Sequence, residues 1–524
     1  MKVRFARIAF LITLITLISK LLGFARDVVM AAVFGATDVT DAFVMATSIN
    51  GVFSVMLLGA LGTTFLPVYS ETMEKKDEAS QRSFLNTVYT VSFAVAGLLC
   101  LVVFLFPRFL VGVFAPQFSP ETAALTATLL RILVPLILLT LAVTLDTVVL
   151  QVHGSFLAAV ALGIPSNLIT IGGMLLLTRG LGVYSLAIST CVGIASQVAL
   201  VWLVKRKYKL PYRPAWNLKD EGVRRIGILV IPILLGSGIS QINTFVDRSL
   251  ASGLPDGSIA ALNFSNRLSL FVLGLVSASV VSVFYASMSN LTATGQDQEY
   301  KTLLRNTVNG ILLLLLPATA GMIALRLPII RLIYERGVFD AAASEMTATA
   351  MLYYAIGLVG FALRDVLARA FYARKDTRTA MINGLLSVGV NMAFALLLTP
   401  LMGIGGLALA GSIAGIAGTL LLGFSLYRKI GDFGLKRIRT LFLKVSAASL
   451  VMAFAASGLY AILSRWTGSN ALSLAATILV AIGLYAALVL LFRVDEARRL
   501  LGMVLSRLGR TLPVPMPPET DSGM

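Results

Sequence analysis

Cysteine is scarce in this chain: Cys100 and Cys191 are the only two among 524 residues. Both sit inside apolar runs, so they read as small packing residues, and no disulfide framework, redox pair or thiolate metal site follows. Histidine is scarcer still. His153 stands alone at the cytoplasmic end of an apolar run, where it reads as a solvated loop residue and not a proton relay. Charged residues make up only 13% of the chain against 57% hydrophobic ones, with a mean hydropathy of +0.89. That excludes a soluble globular protein, and the length excludes a single span. Phosphate loops, Cys/His ligand spacings and Ser/His/Asp arrangements are also missing, so neither an ATPase nor a hydrolase is indicated. The chain reads as a non-enzyme with no cofactor. Acidic residues number 25 against 43 basic ones, a net charge of +18. Nucleic acid is excluded as the partner, because no basic stretch is interleaved with aromatics for base stacking.

What is present is a succession of apolar runs about 20 residues long. Punctuated by Gly, Pro and charge, they give fourteen spans, the first seven near 6–31, 39–69, 84–106, 123–150, 156–178, 183–204 and 224–251. The rest lie near 259–289, 303–325, 345–373, 380–400, 404–427, 440–463 and 471–492. The first run imitates a secretory signal, but it continues into Lys20 and Arg26 instead of a small-residue cleavage site. Of the 43 Lys and Arg, 30 fall on the cytoplasmic side when the N-terminus is placed inside, six fall outside and seven within spans. That asymmetry favours cytoplasmic N- and C-termini.

At an offset of 221 residues, Ile18, Ser19 and Phe24 recur as Ile239, Ser240 and Phe245, and Gly182, Leu186 and Ala187 as Gly403, Leu407 and Ala408. The offset joins span one to span seven, an even number of spans apart, so the halves are parallel repeats. The expectation is an all-α polytopic membrane protein of fourteen transmembrane helices, two six-helix lobes plus two extra C-terminal helices. Its parts are an N-lobe over 1–205, a basic cytoplasmic linker over 206–223, a C-lobe over 224–428, spans thirteen and fourteen over 429–494, and an amphipathic or unstructured cytoplasmic tail over 495–524.

Seven basic and five acidic groups lie within spans: Lys20, Arg26, Arg131, Arg248, Arg267, Arg364 and Arg369, with Asp27, Asp41, Asp146, Asp247 and Asp365. At roughly 3 kcal/mol each, leaving them in lipid would cost on the order of 30 kcal/mol, so they converge on an interior. Helical spacing puts Ser19, Lys20, Gly23, Arg26 and Asp27 on one stripe of span one, and Ser240, Gln241, Thr244, Asp247 and Arg248 on one stripe of span seven. Asn263, Asn266 and Arg267 share an arc in span eight. Two readings compete. The charges are structural pairs holding helices in register, or the surplus guanidinium groups bind phosphate or diphosphate. Lys20, Arg26 and Arg267 fit the second reading better, being more basic than their neighbours can neutralise.

Several motifs carry a family resemblance. Leu22-Gly23-Phe24-Ala25-Arg26-Asp27, Phe34-Gly35-Ala36, Thr40-Asp41-Ala42-Phe43 and Phe65-Leu66-Pro67 are followed by Asn266-Arg267-Leu268, by Glu335 to Asp340 and by Ala370 to Thr377. Together they resemble the MurJ (MviN) family, the lipid II flippases of the multidrug/oligosaccharidyl-lipid/polysaccharide exporter superfamily. The resemblance implies fourteen helices, an outward-pointing V of two lobes, and a groove from the last two helices for a lipid tail. It assigns Lys20, Arg26, Asp41 and Arg267 to the substrate cavity, with Asn266 beside Arg267. A cavity Arg known in part of the family matches Ser54 here, and a nearby Glu matches Leu58. Asp247 resembles one ligand of a sodium ion found in some members, and Asn391 is a looser match, so Na+ or H+ is the candidate coupled ion, with the membrane potential the alternative energy source.

The function expected is a flippase of the bacterial cytoplasmic membrane, carrying an undecaprenyl-diphosphate-linked peptidoglycan precursor from the inner to the outer leaflet by alternating access. Its partners would be lipid II, or a related polyprenyl-diphosphate-linked saccharide, and membrane lipids, with the protein a monomer. Export of another lipid-linked oligosaccharide is the alternative. A cation-coupled drug exporter would need an acidic pocket, and a non-transporting scaffold would leave the buried charges without a purpose.

Overall fold

The computed structural model describes the backbone of residues 2–208 and 212–498, with the side chains at 2–10, 60, 232, 235–237, 239–240, 276–283 and 285–286 left aside. Lys209 and Pro211 of the linker, the side chain of Ser240, and the tail beyond 498 therefore lie outside the described residues.

Eighteen α-helices and no strand occur among the described residues. They are α1 (Lys2–Phe34), α2 (Asp38–Lys75), α3 (Glu78–Leu105), α4 (Pro107–Phe114), α5 (Pro120–Leu133), α6 (Pro135–Val152), α7 (Phe156–Ala161), α8 (Gly163–Leu181) and α9 (Tyr184–Lys205). After a short 3-10 turn at Arg206–Tyr208 come α10 (Glu221–Ala251), α11 (Ser258–Ala293), α12 (Asp297–Ala324), α13 (Arg326–Tyr334), α14 (Ala341–Ala373), α15 (Thr377–Met402), α16 (Ile404–Ile430), α17 (Leu435–Thr467) and α18 (Asn470–Leu491). Among the described residues twelve spans are long and apolar enough to cross a membrane, counting α5 with α6 and α7 with α8 as one each. The two further spans expected near 6–31 and 224–251 fall on α1 and α10, continuous helices of 33 and 31 residues. The chain is thus a multi-pass, all-helical membrane protein.

Local chemistry sets the breaks. Gly35, at φ +69°, ends α1 in the left-handed region that glycine adopts freely. Ser119 caps α5 by accepting from the Thr122 amide, with Pro120 at the first helical position, and Asp220 caps α10 by accepting from the Gly222 and Val223 amides. Pro135 separates α5 from α6 in mid-membrane, where orphaned carbonyls find no water. Three donors reach the carbonyls beside the break: Asn50 Nδ2 to Leu133 O at 2.9 Å, Cys191 Sγ to Ile132 O at 3.3 Å, and Cys100 Sγ to Val134 O at 3.5 Å. Both cysteines of the chain serve one proline.

The helices pack as two compact units. The first comprises Met1–Arg267, Ile333–Ala350 and Asn391–Ala410, and the second Leu268–Leu332, Met351–Val390 and Gly411–Met524. In the second, α14 and α16 cross closely because their contact residues are small. A Cβ on Gly357 would lie 2.6 Å from the Ser412 backbone, and one on Gly360 would lie 2.9 Å from Ile416 N. Its core of Leu, Ile, Val and Phe is threaded by Tyr300 donating to Ala370 O at 2.8 Å and Tyr485 donating to Leu313 O at 2.6 Å. Each phenol finds an acceptor, as buried hydroxyls must.

Candidate functional site

The first unit holds a cavity of about 290 Å³ walled by α1, α2, α8, α9, α10 and α11. Small residues let α1 approach α8: Asn167 lies 3.7 Å from where a Cβ on Gly23 would sit, and a Cβ on Gly163 would meet Ser19 Oγ. An aromatic cluster holds α1 to α11, with Tyr334 packed between Phe24 and Phe264 at ring separations of 6.4 and 5.2 Å. Those contacts fix the two helices that carry Arg26 and Arg267.

Both arginines turn on one carboxylate. Arg26 donates to Asp27 Oδ1 from Nη2 at 2.9 Å and from Nε at 3.3 Å. Arg267 Nε lies 3.9 Å from the other oxygen, Oδ2. The Asp27 side chain is only 9% exposed, while that of Arg267 is 52% exposed, so the carboxylate is a buried support and the guanidinium a reachable head. Arg248 is a third cation lining the same cavity. Thr47, Ser48, Thr170, Thr190 and Asn263 line the remainder together with apolar side chains. Planar, multidentate donors of this kind suit a diphosphate.

The other expected residues lie elsewhere. Lys20 is exposed and does not line the cavity; it precedes Asp27 by seven residues, about two helical turns. Asn266 is likewise exposed, and Asn263 takes its place, because residues four apart on a helix share a face with Arg267 more closely than neighbours do. Asp41 is 4% exposed, and its two oxygens accept from the Gly257 and Ala260 amides, both at 2.7 Å. These are the amide just before α11 and one in its first turn, so a residue of α2 caps a helix that begins more than two hundred positions later. Ser54 is buried and donates to Asn50 Oδ1 at 3.3 Å. Asp247 and Asn391 do meet: Asn391 Nδ2 donates to Asp247 Oδ1 at 3.0 Å and to Asn243 Oδ1 at 2.8 Å, and Asn243 Nδ2 lies 3.3 Å from Asp247 Oδ2.

Sequence reasoning placed Arg248 and Asn263 on interior-facing stripes without assigning them to the substrate cavity, and passed over the four hydroxyl residues. Arg248 carried a signal, being charged within an apolar run. The hydroxyls carried none, since each donates to a carbonyl of its own helix and so sits in a span at little cost.

Other intramembrane charges are structural. Lys205 Nζ lies 2.6 Å from Asp146 Oδ1 and 4.4 Å from the centre of the Tyr89 ring, and Tyr89 Oη donates to the same carboxylate oxygen at 2.5 Å. Arg369 pairs with Asp365 at 3.3 Å one turn earlier, and Arg364 lies over the Phe361 ring. His153 is packed rather than solvated: its Nδ1 lies 2.8 Å from Val149 O, and its ring sits between those of Tyr69 and Tyr208.

Comparison with known proteins agrees with this architecture. The family described as "Lipid II flippase MurJ" matches residues 30–481. A protein of Rhizobium tropici named "Probable lipid II flippase MurJ" is 30% identical over 95% of this chain and 96% of its own length. One of the same name from Thermotoga maritima is 28% identical over 93% of this chain and 96% of its own. A solved structure titled "Lipid II flippase MurJ, inward closed conformation" superposes with a TM-score of 0.77 at 27% identity, covering 96% of this chain and 100% of that one. A multidrug transporter of the MATE family and MOP superfamily, at 14% identity and a TM-score of 0.64, shares the fold. With most of its length matched to that family, and a cationic cavity set among membrane-spanning helices, the chain belongs to the lipid II flippase MurJ family.

Proposed function

We propose that this protein moves an undecaprenyl-diphosphate-linked peptidoglycan precursor from the inner to the outer leaflet of the bacterial cytoplasmic membrane by alternating access of its cavity. The observation that carries the reading is the grouping of Arg26 and Arg267 about the buried Asp27, in a cavity that Arg248 also lines, within membrane-spanning helices. Charges there are costly, and a diphosphate compensates them. Arg26 and Arg267 hold the phosphates, Asp27 orients both guanidinium groups, and the polyprenyl chain stays in lipid. No bond is made or broken. Fourteen spans in two six-helix lobes, with both termini in the cytoplasm, belong to the same proposal. Binding alone shifts only populations, so net transport needs a driving force. The cluster of Asp247, Asn243 and Asn391 offers carboxylate and amide oxygens to a coupled Na+, or a carboxylate to H+.

The test is the exposure of lipid-linked precursor on the outer leaflet of cells depleted of their own flippase and complemented with this gene. Wild-type protein restores exposure and growth, and Arg26→Glu and Arg267→Glu abolish both. Full rescue by either variant at normal abundance rejects the assignment. One observation favours a second saccharide as cargo: Ser54, tucked against Asn50, puts no cation where part of the family has an arginine. Running the same assay with cells that make capsule or teichoic-type lipid intermediates separates the two.

A further inference from the structure

The first unit is held by different chemistry at the two ends of α2. Where α1 turns into α2 the holding group is buried: the Asp41 carboxylate, 4% exposed, accepts two amides, and parting them would strand a charge and two N–H groups inside protein. The opposite end, which the proposed topology puts in the cytoplasm, is held by side chains. Lys76 Nζ lies 2.8 Å from Asp220 Oδ2, and Arg225 Nη1 lies 2.7 Å from Glu71 Oε2, so the end of α2 is paired with the start of α10. Beside these pairs, residues 212–217 of the linker run along α3 without helical structure. The amides of Arg213, Ala215 and Asn217 donate to Asn86 Oδ1, Thr90 Oγ1 and Thr87 Oγ1 at 3.3, 3.2 and 3.3 Å. Alternate amides facing one way are the pattern of extended backbone, and Pro214, which has no N–H, falls between two of them. Thr87 and Thr90 give their own protons to Ser83 O and Asn86 O, so only their lone pairs meet the linker, and Tyr212 Oη, 3.0 Å from Thr90 Oγ1, is the donor there.

Each bond at this end has a side chain on at least one side, and water can replace it. The Arg225 and Glu71 side chains are already 57% and 39% exposed, and an exposed ion pair shifts an equilibrium by about fivefold at most. Of the two ends, this is the one that can part and reform. Resting on the alternating-access reading above, we propose that the Lys76–Asp220 and Glu71–Arg225 pairs, with the strap of residues 212–217 on α3, form a latch that opens and recloses in each transport cycle. The linker is then a working part of the cytoplasmic gate and not a passive tether. Asp220 joins the two functions, since it pairs with Lys76 and caps α10 through the Gly222 and Val223 amides. Closing the latch therefore also fixes the first turn of a helix that walls the cavity.

The experiment uses full-length Glu71→Cys/Arg225→Cys protein in vesicles, joins the pair with a short bis-maleimide, and measures passage of an undecaprenyl-diphosphate-linked saccharide between leaflets. Joining is expected to slow passage about tenfold or more relative to the same protein before treatment, as tying a rate-setting gate does. Each single-cysteine variant, treated alike, keeps its rate. Undiminished passage through the joined protein overturns the latch, because a seam that is only structural loses nothing by being tied. A second measurement needs neither cysteine of that pair: Ala215→Cys should react several-fold faster with a water-soluble maleimide while the saccharide lipid is being carried than in its absence, and equal rates overturn the proposal. Failure of wild-type protein to pass the lipid at all overturns the flippase reading itself, whereas passage with an indifferent latch leaves that reading standing.

Discussion

Replacing Asp41 by Asn separates a role in the fold from a role in substrate contact. The Asp41 carboxylate accepts from the amides of Gly257 and Ala260 at 2.7 Å each, inside protein. A hydrogen bond to a charged group contributes about 1.5–3 kcal/mol net, and removing one partner leaves the other orphaned. Asparagine keeps one acceptor and turns an NH2 group towards the second amide, so Asp41→Asn should cost about 2–3 kcal/mol. That is about a 30- to 150-fold fall in the ratio of folded to unfolded protein. Asp41→Ala orphans both amides at the N-terminal end of α11 and should cost more. Thermal unfolding of the purified protein in detergent, followed by size exclusion, reads the loss, and binding of a polyprenyl diphosphate to the surviving folded fraction reads the site. Lowered stability with intact binding is the expected pair. Melting within about 1 °C of wild type together with lost binding would refute the capping argument and return Asp41 to the substrate.

Three further outcomes follow from other contacts. Lys205→Ala strands Asp146 in a buried pair and should destabilise by about 3–5 kcal/mol, whereas Lys205→Met with Asp146→Leu should cost far less, which unfolding of single and double variants checks. Gly257→Ala should reduce folded yield severely, because φ is +83° and the new Cβ would lie 2.0 Å from Ala36 O; a wild-type melting curve would contradict the close approach. Outside the membrane, the Lys429 ammonium beside Asp376 holds its carboxyl below the usual carboxylate range. A depressed pKa means this contribution is present at neutral pH and lost as pH falls below about 4, so Lys429→Met should flatten the acid limb of the stability profile measured by unfolding.

The sequence made the spans plain because apolar runs of membrane length have no other use. It did not show α4 and α13, eight and nine residues long, which are too short to register against the runs beside them. In the cavity, Arg26 and Arg267 were legible because a cation inside an apolar run is expensive and demands a reason. Asp41 was legible for the same reason, but its work was not, since the amides it serves are 216 and 219 positions away. The hydroxyl wall was invisible. Ser and Thr are scattered through every span, and only the fold shows that Thr47, Ser48, Thr170 and Thr190 face one space.

The turn between α1 and α2 is held by the Thr37 and Thr40 hydroxyls, which donate to Phe34 O and Gly35 O, and by close main-chain approaches. Besides the Asp41 cap and the approach of Gly257 to Ala36, a Cβ on Gly337 would lie 2.1 Å from Ala32 O, and the Val338 amide donates to that same carbonyl at 2.9 Å. Backbone contacts of this kind cannot slide past one another as side chains can, so the turn is a fulcrum and the helices leaving it are lever arms. At 1.5 Å per residue the 38 residues of α2 reach about 57 Å, and a tilt of about 5° about the fulcrum carries its far tip through about 5 Å. A long helix rooted in a rigid joint thus converts a small change of angle at its base into a displacement of several ångströms at its tip.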